Sequence, residues 1–293
     1  MKAQLWRFLL APARATPFAA LRIGLAAALL VQALQVAPMF LGFYHHGGLL
    51  RGPLMDAFAT GHVPALGRLV PALAQGGARE SLILTICGLL YVGSLVAMLV
   101  GWRTRVVTCA VWLLHWLFVA LAPHTNYGVD AFANMFLFYL LWAPAGATLS
   151  LDHRAGRTSD RPREASRLLL RVMQIHLCAA YLFTGVEKAS GEQWRSGEAI
   201  WRSLTTQGYA AFDFTWLAHY PRLVMLAGWS VLIVEIGYPL FIWPRRTRRL
   251  WIAAVVAMHA GIGIFMGLHV FAAVMIVLTV ALFGVSAEPE SSH

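Results

Sequence analysis

Eight stretches of the chain are apolar for about the length that a membrane crossing requires, and polar residues collect between them. They are Phe18–Leu41, Ser81–Val100, Val106–Ala122, Val129–Leu149, Leu168–Val186, Leu223–Trp243, Leu250–Met266 and Leu268–Val285. A helix of about 20 apolar residues spans the hydrocarbon core and satisfies its own backbone hydrogen bonds there. The pattern therefore predicts an all-α, polytopic bundle of about eight transmembrane helices. It forms one membrane domain over residues 1–293, because no connector is long enough for a separate globular domain. The first run follows Lys2, Arg7 and Arg14, as a signal peptide would, but it is long for such a segment and lacks a small-x-small cleavage site. It reads as a retained helix.

Composition sharpens this picture. The chain is 59% apolar and only 12% charged, with a mean hydropathy of +0.65, whereas a soluble domain is usually about a quarter charged. Its net charge of +10 does not point to nucleic acid, because the cations lie between apolar runs rather than on a soluble face. Their distribution reports topology instead. Alternate connectors hold 14 Lys and Arg on the side of the N-terminus and seven on the other. By the positive-inside rule both termini are expected in the cytoplasm of a cytoplasmic-membrane protein. The two long connectors, about 42–80 and 187–222, then lie outside, so a site should open outward. The basic turn PRRTRRLW is explained by contact with anionic headgroups.

Ionisable groups within apolar runs are costly and each needs a reason. They are His115, Asp130, His176, Glu235, His259 and His269. Lys188 joins them at the end of the fifth run, in CAAYLFTGVEKASGEQW. Tyr181, Thr184 and Lys188 share one helical stripe, which places a phenol and a hydroxyl along one wall beneath the amine. One reading is a lysine that snorkels to the interface. The other is an amine kept neutral for part of the time by a partly apolar site, where it acts as a base. His259, flanked by Gly261, Gly263 and Gly267, offers either a packing contact or a neutral donor and acceptor deep in a helix. Glu235 is expected to pair with a polar group on another helix or to be protonated. The turn APHTNYGVDAF gathers His124, Asn126, Tyr127 and Asp130, of which Asp130 falls in a first helical turn and suits a capping role. Cys87, Cys109 and Cys178 are far apart in apolar runs and read as small buried residues. There is no Gly-rich phosphate loop, HExxH, CxxC or GxSxG, and His45-His46 alone is too little for a metal site, so none is expected.

The string GWRTRVVTCAVWLLHW, a polar turn with Asn and Asp, then LFYLLWAPAGATLSLD, resembles the HTTM membrane domain, the bacterial relative of vitamin K-dependent γ-glutamyl carboxylase. TGVEKASGEQWRSGEAIW resembles that family's Gly-Val-x-Lys segment, and MHAGIGIFMGLHVFAAVMI its later His-containing helix. The resemblance implies a reduced, vitamin K-like hydroquinone as cofactor, with Lys188 as base toward it and His259 as a partner of the quinone oxygen. Tyr181, Thr184, Trp194, Asp130 and Asn126 would line or support one outward-facing cavity. It implies oxidative or carboxylating chemistry on a peptide or small substrate at the outer face. No counterpart is expected of the large lumenal region that binds the carboxylase's substrate propeptide. The alternative reading is a non-catalytic quinone- or lipid-binding subunit, or a partner in peptide maturation.

Overall fold

A computed structural model describes residues 2–50, 77–122, 127–206 and 212–288. The described residues are helical, with no strand beyond an isolated antiparallel bridge between Ala13 and Arg163. In chain order the helices are α1 (Lys2–Leu10), α2 (Thr16–Val36), α3 (Phe40–Tyr44), α4 (Gly77–Val100), α5 (Thr104–Leu121), α6 (Gly128–Trp142) and α7 (Leu151–Arg154). They continue with α8 (Glu164–Ser190), α9 (Glu192–Arg195), α10 (Glu198–Thr205), α11 (Pro221–Phe241), α12 (Arg245–Met266) and α13 (His269–Thr279).

Each of the eight apolar runs is built around a helix. Six helices are long and apolar enough to cross a bilayer: α2 with its continuation to Tyr44, α4, α5, α8, α11 and α12. The other two, α6 and α13, are apolar but shorter. The run from Val129 does not stay helical to Leu149. Ala143 leaves the helix with ψ at 149°, as a residue before proline is driven to do, and Pro144 follows. Apolar side chains face outward along the helices: Leu89, Val106, Phe183 and Leu240 are 67–73% exposed, which suits lipid and would be costly in water. The protein is therefore a helical, multi-pass membrane protein.

The chain forms two compact units, Phe18–Arg161 and Met1–Pro17 with Pro162–His293. In the first, α4 packs on α5 and α5 on α6, and one polar knot fixes their ends. Helix α4 stops at Gly101, whose φ of +72° suits glycine. The Trp102 N–H reaches the Ala97 carbonyl at 2.9 Å and the Gly101 N–H that of Met98 at 3.2 Å, the paired bonds of a Schellman cap. Arg22, fully buried, donates to the carbonyls of Met98, Leu99, Ala145 and Leu149. Helix-end carbonyls have no partner within the helix, so a guanidinium there satisfies several at once.

Asp152 completes the knot from α7. Its carboxylate accepts the backbone N–H groups of Arg103 (3.0 Å) and Thr104 (2.7 Å), the Thr104 hydroxyl (2.8 Å) and Arg157 (3.0 Å). Burial alone would raise its pKa, but these donors at the start of α5 outweigh it and hold the carboxyl at about 2. The strings GWRTR and LSLD thus meet in space.

In the second unit α8 lies along α11, and α12 along α13. Glycine sets the first of these approaches. A Cβ on Gly185 would stand 2.9 Å from the Glu235 Cβ and 3.0 Å from the Ile236 nitrogen. Helix α1 is tied to α8 through Arg167, which donates to the Ala11 carbonyl at 2.9 Å, and Arg171, which donates to that of Phe8 at 3.0 Å.

Candidate functional site

Because Gly185 lets α8 and α11 touch, the residue one turn further along α8 can reach across. Lys188 Nζ donates to Glu235 Oε1 at 2.5 Å. The glutamate side chain is 6% exposed and the lysine side chain 28%, so the carboxylate is inside the bundle and the amine at its edge. The Thr184 hydroxyl lies 3.4 Å from the second carboxylate oxygen while also donating to the Ala180 carbonyl at 2.9 Å. The Trp194 ring covers the amine, with Nζ 5.0 Å from its centroid. The Trp194 backbone packs closely on α11, where a Cβ on Gly228 would overlap the Trp194 carbonyl oxygen. Lys188 and Thr184 therefore converge on Glu235, and Trp194 covers the amine. The sequence marks Glu235 only as a charge needing a partner on another helix; the partner is Lys188.

Tyr181 and His259 form a separate pair deeper in the same unit. The phenol and His259 Nε2 are 2.8 Å apart, Tyr181 stacks on Tyr238 with centroids 4.2 Å apart, and Phe271 meets the imidazole edge-on. Both residues are at most 3% exposed. Packing accounts for one face of His259, but its buried Nδ1 has no hydrogen-bond partner among the described residues. A neutral imidazole keeps either a donor or an acceptor unused there.

Asp130 belongs to the first unit. It caps α6 by accepting the Tyr127 N–H at 3.2 Å, and Gln32 hydrogen-bonds its carboxyl. It also borders a cavity of about 650 Å³ whose other walls include Phe40, Tyr44, Tyr91, His115 and Phe118. Tyr91 and Tyr44 each meet the Phe118 ring with centroids 5.5 Å apart. The Tyr91 hydroxyl is 3.0 Å from His115 Nδ1, while His115 Nε2 is buried without a hydrogen-bond partner of its own among the described residues. The sequence lists His115 as a charge to be explained and gives no sign of Tyr91, since an aromatic in an apolar run looks like any other. Asn126 and His124 lie outside the described residues.

Apolar helices, with a lysine-carboxylate pair on a helix contact of one unit and an aromatic-lined cavity in the other, describe a multi-pass membrane protein. The chain belongs to the HTTM domain family, whose model matches residues 78–286. It is also similar to an uncharacterized protein, YitO, of Bacillus subtilis (strain 168), 26% identical over 216 residues covering 68% of this chain and 67% of that one. No solved structure matches.

Proposed function

We propose that this HTTM-domain protein is a quinol-using membrane enzyme in which the Lys188–Glu235 pair accepts a proton from a hydroquinone hydroxyl. The single observation that carries the reading is the 2.5 Å contact between an edge amine and a carboxylate buried on the neighbouring helix. A snorkelling lysine needs only water and headgroups; this one directs its charge into the bundle. Charge pairs of this kind are expensive to bury and mark functional sites in membranes more often than they add stability.

The pair holds one mobile proton between nitrogen and oxygen. Whichever atom carries it, the other keeps a lone pair, so the dyad takes up a second proton and becomes ammonium beside carboxylic acid. A hydroquinone hydroxyl, about as weakly acidic as tyrosine near 10, requires such an acceptor within hydrogen-bond reach. The quinol would supply reducing equivalents, as it does in the carboxylase that the family resembles. Thr184 and Trp194 offer a hydroxyl and a flat apolar face beside the amine, which fits a polar-edged ring. In this reading the substrate is a peptide or small molecule, the site faces outward, and both termini are cytoplasmic. A reporter fused at His293 that is active only outside the membrane would overturn the orientation.

The chemistry is tested by oxygen uptake in nanodiscs supplied with a reduced naphthoquinone or benzoquinone. Quinol-dependent uptake by the wild type, lost in Glu235→Gln, is expected; no uptake by the wild type counts against the enzyme. A second reading, a non-catalytic quinone- or lipid-binding subunit, is favoured by the aromatic cavity of the first unit. Its volume of about 650 Å³ is within the usual range for small-molecule sites of about 300–1,000 Å³. It predicts that an isoprenoid quinone or lipid co-purifies with the protein and that Lys188→Arg has no consequence.

A further inference from the structure

We infer that His45, His46 and Glu80 form a site for a divalent transition-metal ion of the zinc class. The two histidines follow α3 directly, and Glu80 lies in the first turn of α4, so the fold brings together residues 34 positions apart. His46 Nδ1 is 2.6 Å and His45 Nε2 3.6 Å from the same oxygen, Glu80 Oε2. One ligand atom from each of the three residues lies within 4.8 Å of the other two.

The backbone is folded to make this possible. His45 is extended, with φ −65° and ψ 151°, and neighbours along an extended chain normally point apart. Here the chain turns back at once: the Gly48 N–H reaches the His45 carbonyl at 2.7 Å and the Leu49 N–H that of Gly42 at 2.8 Å. A Cβ on Gly48 would stand 2.6 Å from the Gly42 carbonyl oxygen, so glycine is what allows the turn. The two imidazoles end 4.3 Å apart, centroid to centroid.

The donor set selects the metal. Two imidazoles and a carboxylate suit zinc and its neighbours, with bonds of about 2.0–2.2 Å in a tetrahedron whose fourth position water can take. Ligand atoms in such a tetrahedron are about 3.3–3.5 Å apart; the His45–Glu80 separation of 3.6 Å is near that, and the His46–Glu80 contact of 2.6 Å is shorter. Opening the His46–Glu80 contact and drawing the three ligand atoms to that spacing would seat the ion. Glu80 is 3% exposed, and a carboxylate taken out of water gains from coordinating a divalent cation. A cleft lined by Leu41, Gly42, His45, Gly48 and Ser81 lies beside His45 and gives a path for the ion and for a water on its fourth position. Bound metal would clamp the end of α3 to the start of α4.

The test uses the full chain in detergent, purified without a polyhistidine tag and stripped with a chelator, then titrated with Co²⁺ and Zn²⁺. The expected result is one equivalent of Co²⁺ with the visible absorption of four- or five-coordinate cobalt, displaced by Zn²⁺, and a higher unfolding temperature with Zn²⁺. Glu80→Gln and His46→Ala should each weaken binding by at least about tenfold, a scale that even outer-sphere changes reach. His46 is 59% exposed, so its variant should fold even if Glu80→Gln does not. His153→Gln, at an exposed histidine of α7, should bind as the wild type does. Only the weak spectrum of six-coordinate cobalt, the same affinity in His46→Ala, or equal loss in His153→Gln would mean adventitious ions and overturn the site.

Discussion

Arg22 and Glu235 are both buried charges among apolar helices, and they are treated in opposite ways. Arg22 is enclosed, and its three nitrogens reach four backbone carbonyls. Lys188, at the edge of its unit, has three N–H donors and, among the described residues, one carboxylate oxygen and one ring face to receive them. A charge whose donors are saturated by backbone is fixed, since any movement breaks several bonds. A charge with capacity left over can take another partner and exchange a proton with it. The first arrangement closes helix ends; the second is suited to chemistry.

The largest expected effect comes from Lys188→Arg. Arginine keeps the charge and reaches Glu235, but it does not become neutral at any biological pH, so the dyad loses the nitrogen as a proton site. Quinol-dependent oxygen uptake should fall by about two to four orders of magnitude, the usual contribution of a positioned acid or base, while insertion and thermal unfolding stay as in the wild type. Unchanged uptake would make Lys188 an anchor and erase its contrast with Arg22.

Arg22→Leu should show the reverse pattern, with stability lost before any question of turnover. It leaves the carbonyls at the end of α4 and around Leu149 without their donor, and stability in detergent should drop on the order of 3 kcal/mol, given about 1–3 kcal/mol for each buried group left unsatisfied and partial rehydration. A thermal unfolding midpoint equal to that of the wild type would show the knot to be dispensable.

Asp152→Asn is milder, about 1–2 kcal/mol, because an amide oxygen still accepts some of the N–H groups at the start of α5. The same residue gives a pH signature. Its folded pKa of about 2 lies below the ordinary carboxylate value of about 4, so its contribution is complete above about pH 4 and is lost as pH falls toward 2. Acid titration of unfolding should show that component in the wild type and not in Asp152→Asn.

Tyr181→Phe should have the smallest effect, about 1 kcal/mol, from the lost hydrogen bond to His259. If it also lowered quinol turnover by tenfold or more without a matching loss of stability, the deep Tyr181–His259 pair would join the site, and the contrast between a fixed interior and a reactive edge would need to be redrawn.

Much of the fold was legible in order and composition alone. The eight apolar runs name the helices, since the bilayer rewards length and apolarity over any detail of packing. Asp130 announced itself as a cap, because first-turn carboxylates act on their own helix. Helical periodicity put Tyr181, Thr184 and Lys188 on one stripe of α8; Thr184 and Lys188 meet Glu235, while Tyr181 pairs with His259. What local pattern could not supply were the partners: Glu235 for Lys188, Tyr91 for His115, and Glu80 for His45 and His46. Each joins residues on different helices, or on a helix and a turn, brought together by packing such as the glycine contact at Gly185.

The sequence by itself thus determined that the chain is a membrane-spanning helical bundle and marked Lys188 and Glu235, though not the fully buried Arg22, as charges carried at a cost, because both readings depend on single residues against the solvent around them. Only the tertiary structure decided which of those charges are saturated and which keep a free site. Saturation is a property of geometry across helices: four carbonyls about one guanidinium hold it still, and one carboxylate and one ring face leave an amine with N–H donors to spare among the described residues.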